Sequence, residues 1–491
     1  MSSAMRQVQP MLTEGNDLMK LKFYHGVQTK EDAQKIMKDS PVGDFLFRAT
    51  FLKTEVVLVI YMCIKVGEKE QDVHHYLLEN KNGMLHLKQD VWEKDGKKQV
   101  ESPGFKDYEE MIQYYRFHRL ACGIRLGRAL NRPKFALRHQ DISYEESEKL
   151  GSGNFCVVYR GKLKRTRREE VVAIKVSKQT EHDDPAKLME TRNELFAEAK
   201  TMISYNHVNV IKLFGLACDK PPFMVCLEFC SGGSLESHLY KRGAEMEEFE
   251  RQTYLIDAAR GMRYLHARKC VHRDLASRNC LISAEGFIKI ADFGLSKTLG
   301  ADQTKFKEAL KEAPLVWLAP ECIQKESEFS TKSDVWAFGV LMYEVYFDGK
   351  KPFEDEKDTG VIIKAIRKAN MPLIEPKTKV AKMVELHSAI WTRKPEDRVD
   401  FQKILELLSA ALVSSDAAEL TKMQLNKLDG VSRKKMPNTC IDKEEQPSSA
   451  AESSYNNNKK KGSNHYKKQQ KSRSNEEKGT KLQKTQPSSE K

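Results

Sequence analysis

At 491 residues, with 40% hydrophobic and 31% charged side chains, the chain is too long for one ordinary core and reads as two or three domains plus a tail. Its ten cysteines show no CxxC pair and no regular spacing, which argues against a zinc site or a disulfide framework and fits a reducing cytosol. The net charge of +13 points to acidic partners, and no apolar run approaches the ~20 residues of a membrane helix.

The opening Met1-Ser2-Ser3-Ala4-Met5-Arg6 has no apolar core, so no signal peptide is expected, and Ser2 lies outside the usual myristoylation motif. Residues 1–20 carry no periodic pattern. From Leu21 to Cys122 the pattern is mixed. Ala33, Ile36 and Met37 predict a helix from Glu31 to Met37; Phe45 to Phe47 and Val56 to Ile64 predict strands; Tyr108 to Tyr115 predicts a second helix. Helix, central strands and helix make an α+β sandwich. Residues 123–143 form a basic connector (Arg125, Arg128, Arg132, Lys134, Arg138). From Tyr144 to Leu412 a longer domain opens on a glycine turn between strand-like segments. It then becomes helical, with Leu255, Ile256, Ala259, Met262 and Leu265 on one face. In 413–491 apolar residues almost vanish, and beyond Thr421 basic residues outnumber acidic ones roughly two to one. Such a segment cannot bury enough surface to offset chain entropy and is expected to be disordered.

The longer domain carries an ordered set of phosphate-handling residues. Glycines in Gly151-Ser152-Gly153-Asn154-Phe155-Cys156-Val157-Val158 let a backbone fold tightly over a triphosphate and present N–H donors to it; a glycine turn alone joins many strands. Lys175, in Val172-Ala173-Ile174-Lys175, can neutralise phosphate charge, although a single lysine is more often a surface residue. Glu198, in a helical stretch, is placed to hold it. In His272-Arg273-Asp274-Leu275-Ala276-Ser277-Arg278-Asn279, Asp274 can accept a hydroxyl proton and Asn279 can bind magnesium. Asp292-Phe293-Gly294 offers a second magnesium carboxylate, and Ala319-Pro320-Glu321 closes the segment. Each piece is common; the ordered set is not.

On these motifs residues 144–412 resemble a protein kinase domain, with a small sheet-rich lobe and a larger helical lobe. Ala276 stands where serine/threonine kinases usually carry lysine, and Arg278 before the Asn resembles the tyrosine-kinase version. Ala313-Pro314-Leu315-Val316-Trp317 resembles the platform beside a substrate tyrosine. Asp334-Val335-Trp336-Ala337-Phe338-Gly339 resembles the helix that anchors the catalytic loop, and Arg398 the arginine that pairs with Glu321. The resemblance implies ATP with Mg2+ (or Mn2+) held by Asn279 and Asp292. It implies catalysis by Asp274 with Lys175, Arg278, Asn279 and Glu198. Leu227 becomes a gatekeeper, Glu228 and Cys230 hinge contacts to adenine, and Leu150, Val158, Ala173 and Leu281 the walls around the ring. Simple core packing is the plainer reading of those apolar residues.

Upstream, Phe45-Leu46-Phe47-Arg48 resembles the F-L-x-R strand of an SH2 domain, Phe23-Tyr24-His25-Gly26 its entry and His75-Tyr76 its central strand. A partly buried guanidinium at Arg48 would give two charge-assisted bonds to phosphotyrosine, with Thr50, His75 and Lys30 nearby. Lys30 replaces a frequent arginine and Leu77 a lysine. An SH2 domain directly before a tyrosine kinase resembles the Fes/Fer group, here as a short divergent form of nematode type. The membrane-bending N-terminal domain of that group is not expected. The implied architecture is 1–20 N-terminal segment, 21–122 SH2 domain, 123–143 linker, 144–412 kinase, 413–491 disordered basic tail. The implied location is cytoplasmic, with peripheral contact at the inner plasma-membrane face. Implied partners are tyrosine-containing substrates and phosphotyrosine proteins. For the tail, a solvated segment, an acidic lipid partner and nucleic acid stay open, and no specific nucleic acid is expected.

Two departures matter. Cys156 replaces the third glycine of the nucleotide loop; it reads as a tolerated small residue, or as a redox-sensitive thiol that stiffens the loop or narrows the phosphate approach. The segment from Asp292 to Glu321 holds no tyrosine, and Thr304 and Lys305 stand where related kinases carry one. Thr304 phosphorylation or a switch driven by the SH2 domain is expected instead. A pseudokinase scaffold acting through the SH2 domain is the alternative, set against the intact Lys175, Glu198, Asp274, Asn279 and Asp292. A serine/threonine kinase is disfavoured by Ala276, Arg278 and Pro314.

Overall fold

A computed structural model describes residues 17–413 except 53–54, 94–95, 154–155, 179–183, 309–314 and 325, together with 427–428 and 431–432. All of these lie in one compact unit. The rest of the basic tail, with Asn154, Phe155, Ala313 and Pro314, falls outside the described residues.

The N-terminal part is built on a six-stranded sheet. In order its strands are β1 (Tyr24–Val27), β2 (Phe45–Leu52), β3 (Glu55–Lys65), β4 (Val73–Lys81), β5 (Met84–Glu93) and β6 (Gly96–Glu101), with β1 parallel to β2 and the rest antiparallel. Helix α1 (Lys30–Met37) starts at Thr29, whose side chain and Asp32 form a reciprocal capping box that satisfies two otherwise orphaned N–H groups. Its apolar face, Ala33 and Met37, packs on Leu46 and Cys63. Helix α2 (Tyr108–Phe117) covers the other side through Tyr108, Met111, Ile112 and Tyr115. The predicted helix–sheet–helix sandwich is therefore present, with β2 running on past Phe47 and β3 spanning the apolar run from Val56.

A second six-stranded sheet follows, ordered β7 (Ala136–Leu137), β11 (Leu213–Ala217), β12 (Met224–Glu228), β10 (Glu169–Ser177), β9 (Cys156–Lys164) and β8 (Ile142–Ser152). Helix α3 (Pro185–Met202) begins with Pro185 at its first position and Asp184 as N-cap. Its buried residues include Leu188, Leu195, Ala199 and Met202, one stripe at helical spacing. The remaining body is helical: α4 (Leu235–Arg242), α5 (Glu248–Ala267), α6 (Thr331–Tyr346), α7 (Thr359–Lys368), α8 (Ala381–Ile390) and α9 (Phe401–Val413). Helices α5 and α6 are buried nearly all round and form the centre of the largest core.

The two sheets share one buried cluster, in which Tyr24, Val27 and Phe47 join Leu188, Leu195, Ala199 and Phe223. At the contact Gly26 has φ +78°, and a Cβ there would meet the Cys218 carbonyl oxygen at 2.5 Å. Only glycine fits a left-handed backbone against another main chain. Val27 N–H donates to that same carbonyl at 2.7 Å. Arg192, on α3 and 2% exposed, donates from Nε to the Val27 carbonyl (3.1 Å) and from Nη1 to Asp32 Oδ2 (2.7 Å).

Candidate active site

The cleft between the second sheet and the helical body gathers most of the predicted residues. Lys175 on β10 donates to both oxygens of Glu198 on α3, at 3.0 and 2.8 Å. Asp292 Oδ1 lies 3.9 Å from the same ammonium. Burial works to lower the Lys175 pKa, but the Glu198 and Asp292 carboxylates outweigh it and hold the group above its ordinary value. Phe293 is buried against Tyr205 and edge-on to His272. With Asp292 at φ +62°, that anchor turns its carboxylate back toward Lys175.

Asp274 sits opposite. Asn279 Nδ2 donates to Asp274 Oδ2 at 2.7 Å, and Arg278 Nη2 bonds Oδ1. Burial lifts the Asp274 carboxyl above the usual carboxylate range, against the pull of Arg278, His272 and Asn279. The loop itself hangs from α6. Asp334, 1% exposed, accepts from the His272 and Arg273 backbone N–H groups at 2.8 and 2.9 Å and from His266 Nε2 at 2.9 Å. Arg398 makes a bidentate pair with Glu321 at 2.7 and 2.8 Å, fixing the far end of the segment.

Around the cleft, Gly151 and Ser152 end β8, paired with Val158 and Val157 on β9. Gly153 N–H donates to the Cys156 carbonyl, closing the turn, and Lys178 Nζ holds the Gly153 carbonyl at 2.6 Å. Ala173 faces Leu227 across β10 and β12, and Glu228 ends β12. Val158, Ala173, Leu227 and Leu281 are half-buried and Leu150 is exposed, so their apolar faces remain reachable from the cleft. Cys230 is buried, and burial pushes its thiol up to about 12. The Cys156 side chain is also buried, within the cluster around α3, and burial raises its pKa. A buried thiol with a raised pKa has less thiolate character than an exposed one.

These residues fit ATP and magnesium. Asp292 keeps half its side chain exposed beside Lys175, and a Cβ at Gly151 would meet nothing within 4 Å. Among the described residues no three His, Cys, Asp or Glu side chains gather to hold a metal alone. Magnesium bound by one or two protein oxygens and completed by phosphates and water needs no such cluster.

The sequence profile described as "Protein tyrosine and serine/threonine kinase" matches residues 144–408. Fer-related kinase 1 of Caenorhabditis elegans is 33% identical over 69% of this chain and 80% of the relative. Spermatocyte protein spe-8 of the same nematode is 32% identical over 80% of this chain and 72% of the relative. Tyrosine-protein kinase Fer of Rattus norvegicus is 30% identical over 79% of this chain, which spans only 43% of it. The chain belongs to the Fes/Fer-like protein tyrosine kinases.

Within this Fes/Fer-like kinase the N-terminal sheet carries a second group of expected site residues. Arg48 on β2 is 5% exposed; its Nη1 donates to the Gln28 carbonyl at 2.9 Å, and its guanidinium lies 4.8 Å from the Tyr61 ring centroid. Among the described residues its Nε, like Nε2 of His75, is buried with no hydrogen-bond partner. Cys63 Sγ lies 3.0 Å from His75 Nδ1. Burial, then the charges of Arg48 and Lys30, push the His75 pKa down to about 3, so the ring is neutral. Thr50 is two residues beyond Arg48 and on its side of β2. Lys30 is exposed at the start of α1.

Sequence reading missed three residues at these sites. Tyr61 stacks beneath Arg48. Glu344 on α6 accepts from Ser277 N–H (3.0 Å), Ser277 Oγ (2.8 Å) and Trp317 Nε1 (3.4 Å), and burial lifts its carboxyl to about 7. Its one signal was an acidic residue inside an otherwise apolar helical run. The third is Glu308. Its carboxylate accepts from Arg273 Nη1 at 3.0 Å.

Proposed function

We propose that the chain is a catalytically active non-receptor protein tyrosine kinase that transfers the γ-phosphate of ATP to tyrosine in proteins, organised as an SH2 domain (21–122) followed by a kinase domain (144–412). The observation that carries the reading is the convergence of two fixed pairs in one cleft: Lys175 with Glu198, and Asp274 with Asn279. Lys175, aligned by Glu198, takes the negative charge of the α- and β-phosphates. Asp274, steadied by Arg278 and Asn279, orients the tyrosine hydroxyl. The phenolic oxygen forms its bond to the γ-phosphorus, the bond to the ADP oxygen breaks, and the proton passes to Asp274. Asn279 and Asp292 would hold magnesium, which supplies charge neutralisation between the phosphates.

The protein is assigned to the cytoplasm, where its SH2 domain would select phosphotyrosine proteins. Arg48 supports this part: a guanidinium buried with an unused N–H is a costly arrangement that a phosphate oxygen would satisfy.

Incubating the purified chain with arrays of tyrosine, serine and threonine peptides and ATP should label tyrosine alone. Serine labelling would overturn the class, and no labelling would leave a scaffold. Separately, Arg48→Ala should weaken phosphotyrosine-peptide binding by about 10- to 100-fold, as expected for losing a charge-assisted bond, with unphosphorylated peptide unaffected. Calorimetric titration giving equal affinities for wild type and variant would remove the phosphotyrosine role.

A further inference from the structure

The activation segment lacks a tyrosine, yet its central stretch is held in place. Strand β17 (Lys305–Lys307) pairs antiparallel with β18 (Glu328–Ser330), with Phe306 opposite Phe329. Two ion pairs flank the ladder, Lys305 with Glu328 at 2.9 Å and Lys307 with Glu326 at 2.6 Å. Upstream, β16 (Lys297–Thr298) pairs with β13 (Cys270–Val271), just before the catalytic loop. Between these two ladders sits Glu308. Its Oε1 accepts from Arg273 Nη1 at 3.0 Å and its Oε2 accepts from Lys297 Nζ at 2.9 Å. Its own N–H donates to the Ser327 carbonyl at 3.1 Å.

Arg273 is the central piece. Its side chain is 7% exposed, with φ +71°, and its guanidinium carbon lies 4.3 Å from the Phe329 centroid and 5.4 Å from that of Phe306. Nη1 also reaches the Leu295 carbonyl at 3.2 Å. A guanidinium so enclosed needs an anion, because an unpaired buried charge is strongly unfavourable. Glu308 supplies it and in doing so joins three segments: the catalytic loop one residue before Asp274, the stretch after Asp292, and the activation segment.

We propose that Glu308 is a genetically encoded anion that does the work of a phosphorylated side chain, positioning Asp274 through Arg273 without any modification of the segment. The inference deepens the kinase reading and rests on it. Glu308 is a positioning residue and touches neither substrate nor ATP. Two cations meet one carboxylate there, which is the charge pattern that a doubly charged phosphate answers in a modified segment. Here the carboxylate is permanent, so the device is a fixed clasp and not a switch. Ion pairing with Lys297 and then Arg273 keeps the Glu308 carboxyl below its ordinary range, consistent with a permanent charge.

The test uses full-length protein treated with a broad phosphatase and assayed on a tyrosine peptide. Wild type should keep its activity after treatment, and Thr304→Ala should stay within about twofold of it. Glu308→Gln should lower kcat by about 10- to 100-fold, the range for losing a charge-assisted bond, while KM for ATP moves less than about twofold. Glu308→Asp, which keeps the charge, should recover most of the loss. Trypsin gives a second readout independent of catalysis: cleavage after Lys305 and Lys307 should be faster in Glu308→Gln and slowed again in Glu308→Asp. Loss of wild-type activity on dephosphorylation overturns the proposal, as does a Glu308→Gln enzyme equal to wild type, or a defect that Asp does not rescue. A wild-type chain with no phosphotransfer at all defeats the kinase reading instead, and the trypsin comparison then decides whether the clasp exists.

Discussion

Replacing Asp274 with Asn is expected to lower kcat by about 100- to 10,000-fold, the range for removing a general base, with KM for ATP within about twofold. Asn keeps the shape and can still accept from Asn279 Nδ2, which lies 2.7 Å from Oδ2. What it loses is the negative charge that Arg278 pairs with and the capacity to take a proton. Because the loop backbone is held from beneath by Asp334, through bonds of 2.8 and 2.9 Å to His272 and Arg273, the substitution should leave the loop in place. The ATP contacts proposed for Lys175 lie on the other wall of the cleft, so binding and chemistry should separate. Steady-state kinetics on one tyrosine peptide checks this. A variant that retained more than about a tenth of wild-type kcat would mean that Asp274 is not the base.

The second large effect is expected at a distance from the chemistry. Arg192→Ala should reduce kcat by about 10-fold or more and lower the melting temperature, although Arg192 touches no proposed substrate group. Arg192 lies on α3, six residues before Glu198, and its guanidinium spans from that helix to the Val27 carbonyl and to Asp32 of the N-terminal sheet region. It also covers the Phe196 ring at 4.4 Å. Hydrogen bonds to charged groups contribute about 1.5–3 kcal/mol each, so losing the Arg192–Asp32 bond alone removes about 2 kcal/mol of bias toward the docked helix. A shift of ~1.4 kcal/mol is tenfold in population, and in this position of α3 Glu198 holds Lys175. A double-mutant cycle with Asp32→Ala sharpens the test: the two losses should be markedly less than additive, since each removes the same contact. Full additivity, or a melting-point drop with unchanged kcat, would break the link between the N-terminal region and α3. Gly26, against the Cys218 carbonyl, adds a backbone contact between the two sheets beside that ion pair.

Much of this was legible along the chain. The spacing of Ala33 and Met37, and of Leu255, Ala259 and Met262, announced helices because apolar side chains at helical period have to share one buried face. The site motifs were legible because short segments carry them whole: Asp274 and Asn279 lie on one loop, so their contact is nearly local. The pairing of Arg398 with Glu321, 77 residues apart, was accessible only through the resemblance.

Elsewhere local sequence was silent. Cys156 offered no clue to which way its side chain turned, and the fold buries it in the cluster around α3. Glu344 looked like a helix residue among others until Ser277 and Trp317 came against it. Glu308 carried no motif of its own, and its distance from Arg273 depends on how β17 pairs with β18.

By itself, then, the sequence determined the functional groups on offer: the Asp274 and Asp292 carboxylates, the Lys175 ammonium, the Asn279 amide and the Arg48 guanidinium upstream, each set by residue type within a short motif. Only the tertiary structure decided which charges meet. Glu308 on Arg273, Arg192 on Asp32 and Glu344 on Ser277 join residues 35, 160 and 67 positions apart. Coulomb attraction and hydrogen bonding act over a few ångströms, and chain separation says little about that distance until the core has packed.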